Sequence, residues 1–310
     1  MKLVVGFITY NNTTSKYLPD FLASLKGALS FLDRDDYRVL AWDNSEESAS
    51  NVEEMKKYDF VQYVGQKENL GFARAYNKLI RTAVDLKSKY FLVINPDMLL
   101  ERDSISKLIY SLDNNGDLAS VAPKILQWDF EKKEKTKIID SLGLELLPGL
   151  RFVDMGQGKI DNGQLNNVSI LGPSGAGGLF RMSALEQVVE RGEYFDESFF
   201  MYKEDCDLSY RLYLTGLKSA LVSDSIIYHD RTAVASGQGI YHRLRDRSKK
   251  SKKVRAWSFR GQNIIFIKHW KKQSFVNKIR VVLTVLSMFV FSLIFERFVL
   301  KKGYNIKKSL

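Results

Sequence analysis

The stretch YFLVINPD, Tyr90 to Asp97, decides the fold. Tyr90 to Ile94 is an apolar, partly β-branched run that stops at Asn95-Pro96-Asp97, which reads as a buried strand closed by a polar turn. Working upstream, a helix-patterned segment runs from about Ala73 to Leu86 behind Asn69-Leu70-Gly71-Phe72, preceded by a short strand, Phe60 to Val64. Further back, Arg38 to Trp42 is a strand ending in Asp43-Asn44-Ser45. A helix with Pro19 near its start reaches Leu32, and Leu3 to Ile8 is a strand ending in Thr9-Tyr10-Asn11-Asn12. Downstream, a helix from about Asp103 to Leu112 leads to Leu118 to Ala122. Strands alternating with helices at this spacing predict a mostly parallel α/β sheet with helices on both faces. Ligands of such sheets lie beyond the carboxyl ends of the strands, where three of these polar clusters fall.

Past the fifth strand the pattern weakens. Gln127 to Asn167 carries charge runs and scattered glycines, and reads as an insertion with a β-hairpin excursion. Gly172-Pro173-Ser174-Gly175-Ala176-Gly177-Gly178 reads as a flexible turn feeding the strand Leu179 to Arg181. Ser219 to Val222 and Ile226 to Tyr228 are two further short strands, the second leading into His229. Neither a P-loop nor a GxGxxG follows the first strand. From Arg243 to Lys253 the chain is strongly basic. Val281 to Phe295 is then an uncharged apolar run of about 15 residues, or about 22 Å of helix. That is short of a hydrocarbon core of about 30 Å, so an interfacial helix is expected before a true span, with a dimerising helix third.

The charge balance is +11, with 45% hydrophobic residues, which fits a globular chain with an anionic partner. Basic flanks beside an apolar helix favour an anionic membrane surface. No nucleic-acid recognition module is legible, and no nucleic acid is expected. The lone Cys206 excludes an internal disulfide framework and reads as a packing thiol in a reducing compartment. The N-terminus lacks a signal-peptide layout, which points to the cytoplasm.

The chemistry concentrates in FDESFFMYKEDCDLSYRLYL, Phe195 to Leu214. An adjacent carboxylate pair, Glu204-Asp205, stands at a helix start behind aromatic residues. Acids favour the first helical turn for electrostatic reasons alone. A carboxylate fixed there is also well placed to act as a general base.

Taken with VVGFITYNN, WDNS, NLGFARAYN, LVINPD and GGLFRMSAL, this segment resembles the family 2 glycosyltransferases of GT-A fold, nearest the bacterial rhamnosyltransferase-like branch. The resemblance covers residues 1–230. It implies a donor half (about 1–125) and an acceptor half with the base (about 126–230); beyond it, charge and hydropathy predict a basic linker (231–256) and membrane-associating C-terminal helices (257–310). The resemblance further implies an inverting transfer, with Asp205 as catalytic base and Glu204 as its helper. Thr9, Tyr10, Asn11, Asp43, Asn69, Gly71, Ala73, Asn77 and Asn95 would serve the donor nucleotide, Asp43 by accepting from a pyrimidine imide N–H. Gly177, Gly178, Arg181 and Tyr202 would serve the acceptor. Asn95-Pro96-Asp97 stands where relatives carry Asp-x-Asp, so Asp97 with His229 would hold a divalent cation, Mg2+ or Mn2+.

The partners expected are a dTDP-sugar or UDP-sugar donor, dTDP-L-rhamnose first, and a lipid-linked saccharide acceptor. The expected place is the cytoplasmic face of a bacterial membrane, where the C-terminal helices could also pair copies of the chain. The Gln-x-x-Arg-Trp motif of processive synthases is absent, which favours addition of single sugars. The competing readings are a nucleotidyltransferase and a non-catalytic nucleotide-sugar-binding protein.

Overall fold

A computed structural model describes residues 1–46, 50–65, 68–230, 247, 248 and 250–303. The first half runs β1 (Leu3–Thr9), α1 (Asn11–Ser15), α2 (Leu18–Leu29), β2 (Tyr37–Asp43), α3 (Ser50–Met55), β3 (Val61–Tyr63), α4 (Gly71–Asp85) and β4 (Tyr90–Ile94). Then follow β5 (Met98–Leu100), α5 (Ser104–Asn114), β6 (Leu118–Asp129), β7 (Glu134–Ser141), β8 (Leu144–Leu147), β9 (Arg151–Asp154) and β10 (Ser169–Ile170). The last part holds β11 (Gly177–Arg181), α6 (Met182–Gln187), α7 (Glu204–Leu214) and β12 (Lys218–His229), then α8 (Lys252–His269), α9 (Phe275–Phe295) and α10 (Arg297–Gly303).

The sheet is ordered β10-β12-β6-β11-β4-β1-β2-β3, with β5 on β12 and β7 on β6. β1, β2, β3 and β4 are parallel, as are β6 and β12, while β11 runs antiparallel between β4 and β6. The carboxyl ends of the parallel strands therefore share one edge with the amino end of β11. Both faces are covered, as the alternation along β1 requires. Leu3, Val5 and Phe7 pack with Leu22, Leu25 and Leu108 from α2 and α5, while Val4 faces Tyr76, Leu79 and Leu212 from α4 and α7. This is a mixed, mostly parallel sheet wrapped by helices, as expected.

Three elements differ from expectation. The supposed insertion is largely strand: β6 continues to Asp129, turns into β7, and β8 with β9 forms a second hairpin. Most of its charged residues crowd the turn and the exposed positions of β7, whose pairing with β6 is broken in register, and this hid the alternation. The two short strands before His229 are one strand, β12, broken in register between Val222 and Ile226. The apolar helix is longer than the uncharged run, because Lys278 and Arg280 lie inside α9, near its start.

A third core joins the sheet domain to the C-terminus. Phe199, Cys206 and Tyr210 pack with Leu150 and Phe152 of the hairpin region and with Ile264, Ile265, Phe266 and Val281 of α8 and α9. α8 therefore belongs to the packed body rather than to a detached membrane segment.

Candidate active site

The register of the sheet brings the polar clusters together. Thr9 and Asp43 are paired positions at the ends of β1 and β2, and Thr9 Oγ1 donates to Asp43 Oδ1 at 2.9 Å. Ser45 Oγ (2.6 Å), the Ser45 amide (3.2 Å) and Asn51 Nδ2 (3.4 Å) donate to the same oxygen. Asp43 Oδ2 takes part in none of these bonds, so only one carboxylate oxygen is anchored by them. Asn11 adopts φ +45 beside this cluster, its amide donating to Ser45 Oγ, and Tyr10 is 39% exposed.

Asn44 ties this edge to α4. Its Nδ2 donates to the Gly71 carbonyl and its Oδ1 accepts from the Leu70 amide, while Asn69 Oδ1 accepts from the Gly71 amide. Gly71 sits at φ +72, and a Cβ there would lie 2.3 Å from the Phe200 carbonyl oxygen. Only glycine combines that backbone with that approach. The neighbouring Phe72 amide donates to the same carbonyl. The close approach expected at Gly71 is thus made by the chain itself.

Antiparallel pairing of β5 with β12 sets His229 opposite Met98, which places Asp97 beside it. His229 Nε2 lies 3.3 Å from Asp97 Oδ2, and Nδ1 lies 2.7 Å from Asp140 Oδ2. Burial pulls the imidazole pKa down, but the Asp97 charge and the hydrogen bonds to Asp140 and Asp97 overcome it and hold it at about 10. Asp97 Oδ1 is buried and has no hydrogen-bond partner among the described residues. Its carbonyl accepts from the Asp230 amide and from Trp128 Nε1.

Glu204 and Asp205 open α7, behind two consecutive left-handed residues, Tyr202 (φ +71) and Lys203 (φ +79). Non-glycine residues in that region store strain and must be held by their surroundings. The holder is α8: a Cβ on Gly261 would lie 2.7 Å from the Tyr202 carbonyl, and Trp257 packs on Phe200 with ring centroids 5.1 Å apart. Asp205 Oδ2 accepts from the Gly175 amide and Oδ1 from the Cys206 amide, both at 2.8 Å. The next carbonyl of the same loop, Ala176, accepts from the Asn95 amide at 3.0 Å. Two successive residues thus join the carboxylate of α7 to the turn that carries Asp97. Glu204 is buried, and burial, then the Asp205 charge, push its carboxyl well above the usual range. Glu204 Oε2 and the Ser174 hydroxyl have no hydrogen-bond partner among the described residues.

The Glycosyl transferase family 2 model matches residues 4–189. This chain belongs to that family. Over 180 residues it is 27% identical to a low-salt glycan biosynthesis hexosyltransferase, Agl10, of Haloferax volcanii, covering 54% of this chain and 51% of the relative. The aligned region therefore spans about half the length of that curated relative. In fold it is similar to S. aureus TarS 1-349 in complex with UDP (TM-score 0.51, 16% identity), covering 74% of this chain and 60% of that one. It is also similar to the mannosyltransferase PcManGT of Pyrobaculum calidifontis in complex with GDP-Man and Mn2+ (TM-score 0.50, 11% identity), covering 99% and 85%. These neighbours establish the GT-A architecture.

Within this family 2 chain, not every expected contact residue reaches the edge. Arg181 is opposite Tyr90, at the far end of β11 from Gly177, which pairs with Ile94. At about 3.3 Å per residue that is roughly 13 Å from the site edge. Its guanidinium instead donates to the carbonyls of Leu118, Leu112 and Asn115. The sequence hid this because the direction of β11 was unread. Ala73 is core, and Asn77 spends its amide on Tyr194, Phe195 and Glu197, bracing the approach to α7 rather than facing a ligand. Gly178 is pressed against Pro173, so the glycine-rich turn is a packed loop. Tyr202 is 39% exposed. Cys206 is buried, and burial with the Asp205 charge raises its thiol, which leaves it a packing residue.

Three residues escaped the sequence reading. Asp140 sits in the stretch taken for an insertion. Asp230 accepts from Tyr17 Oη at 2.6 Å. Asp207, fully buried, is bonded by Arg211 Nε (2.8 Å), His269 Nε2 (2.7 Å) and Lys268 Nζ (3.0 Å). Only the Asp207–Arg211 spacing was visible in sequence. Much of the basic segment from Arg243 to Lys253, including Arg243, Arg245 and Lys249, lies outside the described residues. Arg247 and Arg255 are bound to the buried Glu296 at the end of α9.

Proposed function

We propose that this family 2 chain is an inverting glycosyltransferase with Asp205 as its general base. The observation that carries the reading is the Gly175–Ala176 bridge, which holds the Asp205 carboxylate and the Asn95–Asp97 turn on one loop. Each Asp205 oxygen accepts one backbone N–H and keeps a further lone pair for a proton. In the transfer, the acceptor hydroxyl oxygen bonds to the anomeric carbon while the bond from that carbon to the diphosphate breaks. The electron pair leaves with the nucleoside diphosphate, and the hydroxyl proton passes to Asp205. The developing charge is oxocarbenium-like. Glu204, whose carboxyl burial pushes up, is proposed to hydrogen-bond sugar hydroxyls.

The donor nucleotide is proposed to lie over the ends of β1 and β2, with Thr9, Tyr10, Asn11 and Asn69 around it and Asp43 Oδ2 accepting from the base. Asn95, Gly177, Gly178 and Tyr202 then lie toward the sugar and acceptor. Asp97 and His229 would fit a divalent cation in chemistry, provided the cation displaces the His229 Nε2 proton: a buried hard carboxylate oxygen without a hydrogen-bond partner among the described residues stands beside an imidazole. Such a cation would supply charge neutralisation to the leaving diphosphate. The donor favoured is dTDP-L-rhamnose, on the resemblance to rhamnosyltransferases, with UDP-sugars next. The acceptor favoured is a lipid-linked saccharide at the cytoplasmic face of a bacterial membrane, because α9 is an exposed apolar helix attached to the catalytic body. A panel of dTDP- and UDP-sugars, each with Mn2+ or Mg2+, tests the reading by release of free nucleoside diphosphate. Release from at least one is expected, and silence across the panel contradicts it.

A further inference from the structure

Asp140 reaches His229 across the intervening strand β6, through an irregularity in pairing. Leu126 is opposite Ile139, yet Ile125 is opposite Ser141, so Asp140 is the extra residue of a β-bulge in β7. Bulges re-aim side chains and recur beside active sites. Here the bulged residue is 1% exposed and meets His229 Nδ1 at 2.7 Å, while Nε2 of the same ring faces Asp97. A carboxylate is not buried at a sheet bulge without compensation, since removing it from water costs several kcal/mol.

We infer that Asp140 is a positioning residue. It accepts the Nδ1–H of His229 and so fixes the ring plane and tautomer that present Nε2, together with Asp97, to a divalent cation. The inference rests on the proposed metal role of Asp97 and His229, and adds a member that touches neither metal nor substrate. Two features of the geometry support it. A histidine that ligates a metal through one nitrogen typically gives its other N–H to a carboxylate. Asp97, whose Oδ2 faces the other ring nitrogen, has a buried Oδ1 with no hydrogen-bond partner among the described residues.

The test is Mn2+ binding by the full-length chain, with and without UDP, followed by electron paramagnetic resonance of free Mn2+. Four variants are compared with the unsubstituted protein: D97N, H229Q, D140N and D140E. D97N and H229Q are expected to lose binding. D140N is expected to weaken it roughly 10- to 100-fold, with D140E recovering part of the loss. If D97N and H229Q bind Mn2+ normally, the metal reading itself fails, and the role of Asp140 with it. If those two lose binding while D140N does not, Asp140 alone is overturned and the metal reading stands. Should D140N not fold, ring-nitrogen NMR of unsubstituted His229 with Mg2+ and UDP decides the matter. A proton on Nδ1 is required, and a bare Nδ1 overturns the inference.

Discussion

Glu204 and Asp205 are neighbours in sequence with opposite surroundings. Asp205 receives two backbone amides, whereas Glu204 is buried, its Oε2 without a hydrogen-bond partner among the described residues and its carboxyl pushed well above the usual range by burial and the Asp205 charge. E204Q is isosteric with a protonated glutamic acid. It is therefore expected to keep turnover within the same order of magnitude, while E204A, which removes the polar group, loses far more. Steady-state kinetics of the two variants check this, and equal losses would show that Glu204 works as a charge. The sequence made the residue types at Asp43, Asp97 and Glu204-Asp205 legible as a family pattern, and the fold sets Asp43 at a strand end and ties Asp205 to the Asn95–Asp97 turn. The sequence was silent where a role depends on pairing register. Asp140 reaches His229 only through a bulge, and Arg181 leaves the site only because β11 is antiparallel. Neither event has a local signature in residue types.

Elements converge on the loop before α7, which is held from two sides. From α4, Gly71 admits the Phe200 carbonyl; G71A would force both a left-handed alanine and a clash. A cost of about 1–3 kcal/mol is expected from backbone strain alone, read as a lower denaturant midpoint with reduced turnover. From α8, Lys268 and His269 meet Asp207 in the buried interior of α7. Burial raises the Asp207 carboxyl, but the His269 hydrogen bond and the charges of Arg211 and Lys268 outweigh it, so its pKa is depressed on folding. The linked stability is fully present above the unfolded carboxylate pKa near 4, and is lost as pH falls through the lower folded value. D207N removes it and leaves the buried Arg211 without its carboxylate, while Lys268 keeps Asp196 and Glu190. A loss of about 3–5 kcal/mol at neutral pH is expected, with a flatter stability curve in acid, both measurable by denaturant unfolding. The strands around the first sheet half were legible from apolar runs ended by polar turns. The clamp was not, because His269 and Lys268 lie in a basic, aromatic segment whose only visible signal was membrane affinity.

The apolar helix α9 is packed onto the body through Val281 and through the Gly149 amide, which donates to Asn277 Oδ1. α9 has 21 residues, and only 11% of its most apolar window is buried. At 1.5 Å per residue it is about 32 Å long, enough to match a hydrocarbon core of about 30 Å. Leu283, Leu286, Phe289, Val290 and Ile294 are exposed along it. Between α8 and α9 lies an apolar groove of about 410 Å3 lined by Phe266, Ile267, Trp270 and Val282. Binding to anionic vesicles is expected, and the double variant L286D/F289D should abolish it at about 2.5–3.5 kcal/mol for each buried charge. Vesicle co-sedimentation checks this; unchanged binding would remove α9 from the membrane. In the proposed transfer Asp205, placed by the Gly175–Ala176 bridge, takes the acceptor proton. The most direct test of that step is turnover of the purified chain and of D205N on the best donor of the nucleotide-sugar panel, with UDP affinity measured alongside by calorimetry. D205N is expected to lose at least about a hundredfold in turnover, with UDP binding unchanged. Full turnover by D205N would contradict that step.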